Sequence, residues 1–98
     1  MRAGFRKFRS VRLPESLQGE LYFALKNYKY KSCRMQEEII SLCEEVGGEN
    51  AMALFELLTT DSSAMQINMR YFIPERVLYD MRRDFYHKWF ERGMSRME

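Results

Sequence analysis

Tyr79, Arg83, Tyr86 and Phe90 follow one another at spacings of four, three and four, with Arg76 and Arg82 beside them. On a helix those spacings put the four side chains on one face. Arginine can hydrogen-bond bidentately to guanine O6 and N7 or to a phosphate, and tyrosine can reach a phosphate oxygen. A basic, aromatic stripe of this kind is what a helix needs to read the DNA major groove. The bland alternative is a face whose aromatics pack on a neighbouring helix. Asp80 and Asp84 stand on the same helix and would repel phosphate.

Other chemistry has little support in the chain. His87 is the single histidine, between Tyr86 and Lys88, and reads as a solvated side chain. There is no Gly-rich phosphate loop, no H-E-x-x-H and no serine or cysteine with a matched base, so we expect no enzyme and no cofactor. Cys33 and Cys43 with one histidine cannot fill a structural zinc site. We expect both thiols reduced and semi-buried. Glu37-Glu38 and Glu44-Glu45 lie seven apart and read as a solvated acidic face, with no metal.

The elements that must position the stripe follow from caps and periodicity. Pro74 starts the last helix with Glu75 at its positive end, and Gly93 stops it after about Arg92. Leu78, Met81, Phe85 and Trp89 form its core side. Before it, Ser63 and Gln66 match a capping box, and the helix they open ends near Phe72 because residues ahead of a proline resist the helical conformation. An earlier short helix, capped by Asn50, turns Ala51, Leu54, Phe55 and Leu58 to one side. Upstream, Leu17, Leu21, Ala24, Tyr28, Met35, Ile39, Leu42 and Val46 recur mostly at three and four. Two readings compete for residues 14–46: one helix about 50 Å long at ~1.5 Å per residue, or two helices broken near Asn27–Ser32. We expect the long helix, kinked or split, with Gly47-Gly48 ending it.

No run alternates as a strand does, so the fold class is all-α: a long N-terminal helix over 14–46 followed by a three-helix head over 50–92 in a single helical domain, residues 14–98. Ahead of it residues 1–13 read as a flexible basic arm, in which Arg6, Lys7 and Arg9 would lie along phosphates or in a minor groove. A solvated tail is the alternative. The net charge of +2 hides a pattern: residues 1–12 carry five bases and no acid, 13–49 carry seven acids against four bases, and 70–96 carry seven bases against four acids. Basic ends around an acidic middle suit contact with a polyanion. Apolar runs fall short of the ~18 residues of a membrane span, and no apolar stretch follows the basic start, so a cytoplasmic protein without a membrane partner is expected.

Gln66-Ile67-Asn68, Tyr71-Phe72-Ile73, Val77-Leu78-Tyr79 and Arg82-Arg83 resemble the helix-turn-helix of sigma-factor region 4. The stretch is closer still to the small helix-turn-helix regulators of phages and mobile elements of the ArpU/RinA type, over roughly residues 50–92. The resemblance implies that Ile67 and Ile73 are core, that Leu78 packs the recognition helix, and that Tyr79, Arg82 and Arg83 face DNA. Asn68 replaces the small residue usual in that pattern, and Phe72 stands where glycine often makes the turn. The expectation is therefore a sequence-specific, double-stranded-DNA-binding transcriptional regulator, a homodimer joined through its long helix, with RNA polymerase or another protein as a further partner. Its contacts would be Arg76, Tyr79, Arg82, Arg83 and Tyr86 on the last helix and Arg6, Lys7 and Arg9 on the arm. The rivals are a helical protein–protein module, such as an inhibitor or assembly factor, and a phage DNA-packaging protein.

Overall fold

The computed structural model describes residues 7–93. They form five α-helices: α1 (Glu15–Lys26), α2 (Cys33–Gly47), α3 (Ala51–Thr59), α4 (Ala64–Tyr71) and α5 (Glu75–Glu91). Single 3-10 turns, Tyr28–Tyr30 and Gly48–Asn50, join α1 to α2 and α2 to α3. No strand occurs among the described residues.

The organising element is α3. Its sequence AMALFELLT is apolar almost all round, and a helix of that kind must be surrounded. It packs against α1, α2, α4 and α5, burying Ala53, Leu54, Leu57 and Leu58. Asn50 precedes it without a side-chain cap. The Gly48–Asn50 turn leads in instead, and Gly48 takes the positive φ of 56° that lets α2 stop there.

Of the two readings of residues 14–46, the continuous helix gives way to two helices, broken at the Asn27–Ser32 stretch that the alternative reading named. The longest dimension of the described chain is 33 Å, well short of a 50 Å rod. Asn27 closes α1, donating its side-chain amide to the Phe23 carbonyl at 2.9 Å. Ser32 opens α2, its hydroxyl accepting from the Met35 N–H at 3.1 Å. Between them the Tyr28 ring stands edge-on to Phe55 of α3, with centroids 4.9 Å apart, and the Gln36 amide donates to the Tyr28 carbonyl. These groups satisfy the backbone where the helix ladder ends. After the reversal Leu21, Ala24, Met35, Ile39 and Leu42 are all buried against the chain's own helices. The seam that suggested a second copy is thus covered within one chain.

The two thiols differ. Cys33, at the first turn of α2, is exposed, and Cys43 is buried. Burial pushes the Cys43 thiol up from its ordinary 9.0 to about 12. We predict that an alkylating reagent at neutral pH modifies Cys33 alone in the folded protein and both thiols in denaturant. Because the folded thiol holds its proton longer than the unfolded one, its share of stability is intact below pH 9.0 and is lost as the pH rises toward about 12. Mass spectrometry counts the adducts, and two adducts on native protein contradict the packing of α2.

Candidate nucleic-acid interface

One carboxylate ties α4 to α3. Glu56 of α3 pairs with Arg70 and accepts from the Tyr71 hydroxyl at 3.0 Å, both on α4. The Ser62 hydroxyl, just ahead of α4, donates to it at 3.4 Å. The expected capping box forms: Ser63 Oγ accepts from the Gln66 N–H at 3.2 Å, and Gln66 Oε1 accepts from the Ser63 N–H at 2.8 Å. Ile67, Ile73 and Leu78 are buried where the helices meet.

The connection from α4 to α5 is three residues, 72–74. Phe72 adopts the left-handed conformation, φ 59° and ψ 38°, that glycine would take without strain. Its N–H donates to the Asn68 carbonyl at 2.7 Å, and the Asn68 side-chain amide donates to the Ile73 carbonyl at 2.7 Å. Asn68, the unexpected polar residue, therefore ties down the turn. The Phe72 ring is 87% exposed, so packing does not explain its place there.

Along α5 the core side is as the spacing predicts: Leu78, Met81, Phe85 and Trp89 are buried. The Trp89 indole N–H lacks a hydrogen-bond partner among the described residues. The proposed contact side divides. Arg76 is exposed and has no ion pair among the described residues. Tyr79 is 41% exposed, its hydroxyl 3.5 Å from Glu75. Arg83 is half-buried and its charge is shared with Asp80 and Asp84, each at 3.2 Å.

Tyr86 is a correction. It is 1% exposed, and burial pushes its phenol well above the ordinary range, so it cannot reach a phosphate. The cause is the chain ahead of α1. The Phe8 ring stands edge-on to Tyr86 at 5.5 Å and lies 3.7 Å from the Arg82 guanidinium carbon. Arg82 is thereby half-buried, with Tyr79 on its other flank at 5.1 Å. Phe90 too is half-buried against the core.

Residues 7–13 are accordingly no free arm. Val11 is 1% exposed. Gln18 of α1 is 0% exposed: its amide nitrogen donates to the carbonyls of Val11 and Leu13 at 3.0 and 2.9 Å, and its oxygen accepts from the Phe8 N–H at 2.9 Å. The Arg12 N–H donates to His87 Nε2 at 2.9 Å, so the lone histidine docks the segment rather than facing water alone. Lys7 and Arg9 remain exposed beside this contact, and Arg6 lies outside the described residues. Gln18 and Phe8 carry no reading from the sequence, and His87, expected to be solvated, instead accepts a backbone hydrogen bond. The one available signal was a glutamine at three and seven residues before Leu21 and Leu25, a polar group on a buried face.

Comparison with family models, with curated proteins and with solved structures finds no match to the chain.

Two outcomes follow. Replacing Gln18 with Leu leaves three backbone groups without their partner; each such buried group costs about 1–3 kcal/mol. Stability should fall by at least one such increment in urea unfolding, and trypsin should cut after Arg9 and Arg12 in protein that is otherwise folded. Trypsin resistance equal to that of the parent chain contradicts the docking. Phe72→Gly relieves about 1 kcal/mol of left-handed strain at little packing cost, which for a domain of this size raises the Tm by roughly 4 °C. A lowered Tm by circular dichroism contradicts the assignment of strain.

Proposed function

We propose that this chain binds double-stranded DNA as a small helix-turn-helix protein, with the N-terminal half of α5 as its reading element. The observation that carries the proposal is the joint between α4 and α5. A left-handed residue closes α4, a buried Ile73 follows, and Pro74 starts a helix whose first two turns present Arg76 and Tyr79 outward, with the half-buried Arg83 one turn further on. In helix-turn-helix proteins the recognition helix meets base edges with its N-terminal residues. The mutual packing of α3, α4 and α5 supports the same reading.

The docked segment narrows the contact set and strengthens one part of it. Tyr86 is withdrawn from the interface, and Arg82 turns toward Phe8. Lys7 and Arg9 flank Phe8 and sit beside α5 without ion pairs among the described residues. Their role is to hold phosphates next to the groove that Arg76 and Tyr79 enter. The acids Glu75, Asp80 and Asp84 offset part of the charge, so the affinity is modest and its specificity rests on Arg76. Transcriptional control in a mobile element is the biological role that fits, by resemblance.

A second reading has an observation of its own. Met65 and Met69 on α4 and Phe72 just past its end are well exposed, a surface suited to a protein partner.

Fluorescence anisotropy with a random duplex at about 50 mM salt should give binding that weakens with salt, each neutralised phosphate contributing about −0.9 to the slope of log K against log salt. Lys7→Ala and Arg9→Ala should each make the slope shallower by about one phosphate, whereas Arg76→Ala should cost about 1–3 kcal/mol at a preferred site and relax its sequence preference. Arg34→Ala, on the exposed side of α2, should change nothing. No binding at tens of micromolar protein removes the proposal and favours the protein-partner reading.

A further inference from the structure

A cleft of about 320 Å³ opens between α1, the α3–α4 loop and α5, within the size range of small-ligand sites. Its walls bring together Phe8, Tyr22, Lys26, Asp61, Tyr79 and Arg82. The Arg82 guanidinium carbon lies over two rings, 3.7 Å from the centre of Phe8 and 5.1 Å from that of Tyr79. Among the described residues its N–H groups make no hydrogen bond and no ion pair. Rings satisfy none of the guanidinium's N–H donors, so its planar fork is left for an anion.

Lys26 lies on the opposing wall. Its ammonium donates to the Thr60 carbonyl and sits 5.1 Å from the Tyr22 ring. Burial lowers the pKa of both Lys26 and Arg82, and Arg82 lowers that of Lys26 further. Asp61 is the single carboxylate among the described lining residues, and it faces Lys26. Two half-buried cations therefore share one cleft with one acid. Asp61 offsets the charge of Lys26, whereas Arg82 is desolvated with no ion pair among the described residues, and a bound anion relieves that cost. The rings of Tyr22 and Tyr79 add π-faces on which a planar group can lie.

We propose that this cleft is a phosphate-binding site for a nucleotide, with Arg82 and Lys26 holding the phosphate and Tyr22 and Tyr79 flanking the base. Asp61 keeps the net charge low, so the site selects a compact phosphate over a polyanion that must follow a surface. Since Phe8 forms one wall, ligand binding also fixes the docked N-terminal segment.

The test is an amide NMR titration of the whole chain with adenosine 5′-monophosphate, adenosine, inorganic phosphate and a short duplex, separately. The nucleotide should shift the amides of Lys26, Asp61 and Arg82 saturably, and adenosine should bind about tenfold more weakly, the scale of a lost charge-assisted hydrogen bond. Arg82→Lys, which keeps charge and stem but loses the fork, and Lys26→Gln should each weaken the nucleotide by about tenfold with the amide spectrum still dispersed. Shifts with nucleotide and inorganic phosphate identify a free ligand as the source. Shifts at the same amides with duplex alone, abolished by Lys26→Gln, place a backbone phosphate in the cleft and overturn its assignment to a nucleotide. Adenosine binding as tightly as its monophosphate, or no shift at these amides with any probe, overturns the proposal. A duplex that moves Arg76 while nothing moves Lys26 or Asp61 overturns it and leaves the proposed function standing.

Discussion

One buried carboxamide decides which part of α5 meets solvent. Residues 8–13 belong to no helix, so their backbone groups need partners from elsewhere. Gln18 supplies three of those hydrogen bonds from a single side chain. The amide has both a donor and an acceptor end, which is why a glutamine, and not a carboxylate, can bond one N–H and two carbonyls at once. With the segment held there, Val11 enters the core, Phe8 covers Tyr86 and Arg82, and the Arg12 N–H meets His87. The second half of α5 is thereby closed and its first two turns are left open.

The rest of the fold keeps that open end in place. The apolar α3 gives every other helix a surface to bury. Glu56 on α3 draws Arg70, Tyr71 and Ser62 together and so fixes α4 at its two ends. The Arg92 fork grips both carboxylate oxygens of Glu45, tying the far end of α5 to α2 and holding that carboxyl below its usual range. That pair is exposed, and its contribution is orientation more than stability. α5 is thus anchored along its length, with Arg76 and Tyr79 near its start left exposed.

Local signals were legible because their chemistry is local. The capping box at Ser63 and Gln66, the glycine stop at Gly48 and the core side of α5 all depend on residues within one or two turns. The break between α1 and α2 was harder to read, since Tyr28 and Met35 are seven apart and the heptad rhythm runs straight through it. What separates the two helices is a modest cap on each side, Asn27 closing α1 and Ser32 opening α2, together with the edge-on contact of Tyr28 with Phe55, a residue distant in sequence. Tyr86 was misplaced for a similar reason. Its spacing puts it on the stripe with Tyr79 and Arg83, and Phe8, far away in the chain, packs over it and helps make it core. The basic composition of the first residues concealed the alternation of Phe8 and Val11 that docks them.

The central claim is that duplex DNA meets the first two turns of α5 and the basic residues beside Phe8. Amide NMR with a short duplex at low salt tests it most directly, because it reports location as well as affinity. The account predicts shifts concentrated at Lys7, Arg9, Arg76, Tyr79 and Arg83, fading together as salt rises, with α2 unmoved. Shifts confined to Met65, Met69 and Phe72 on addition of a protein partner, with none from duplex, would contradict it.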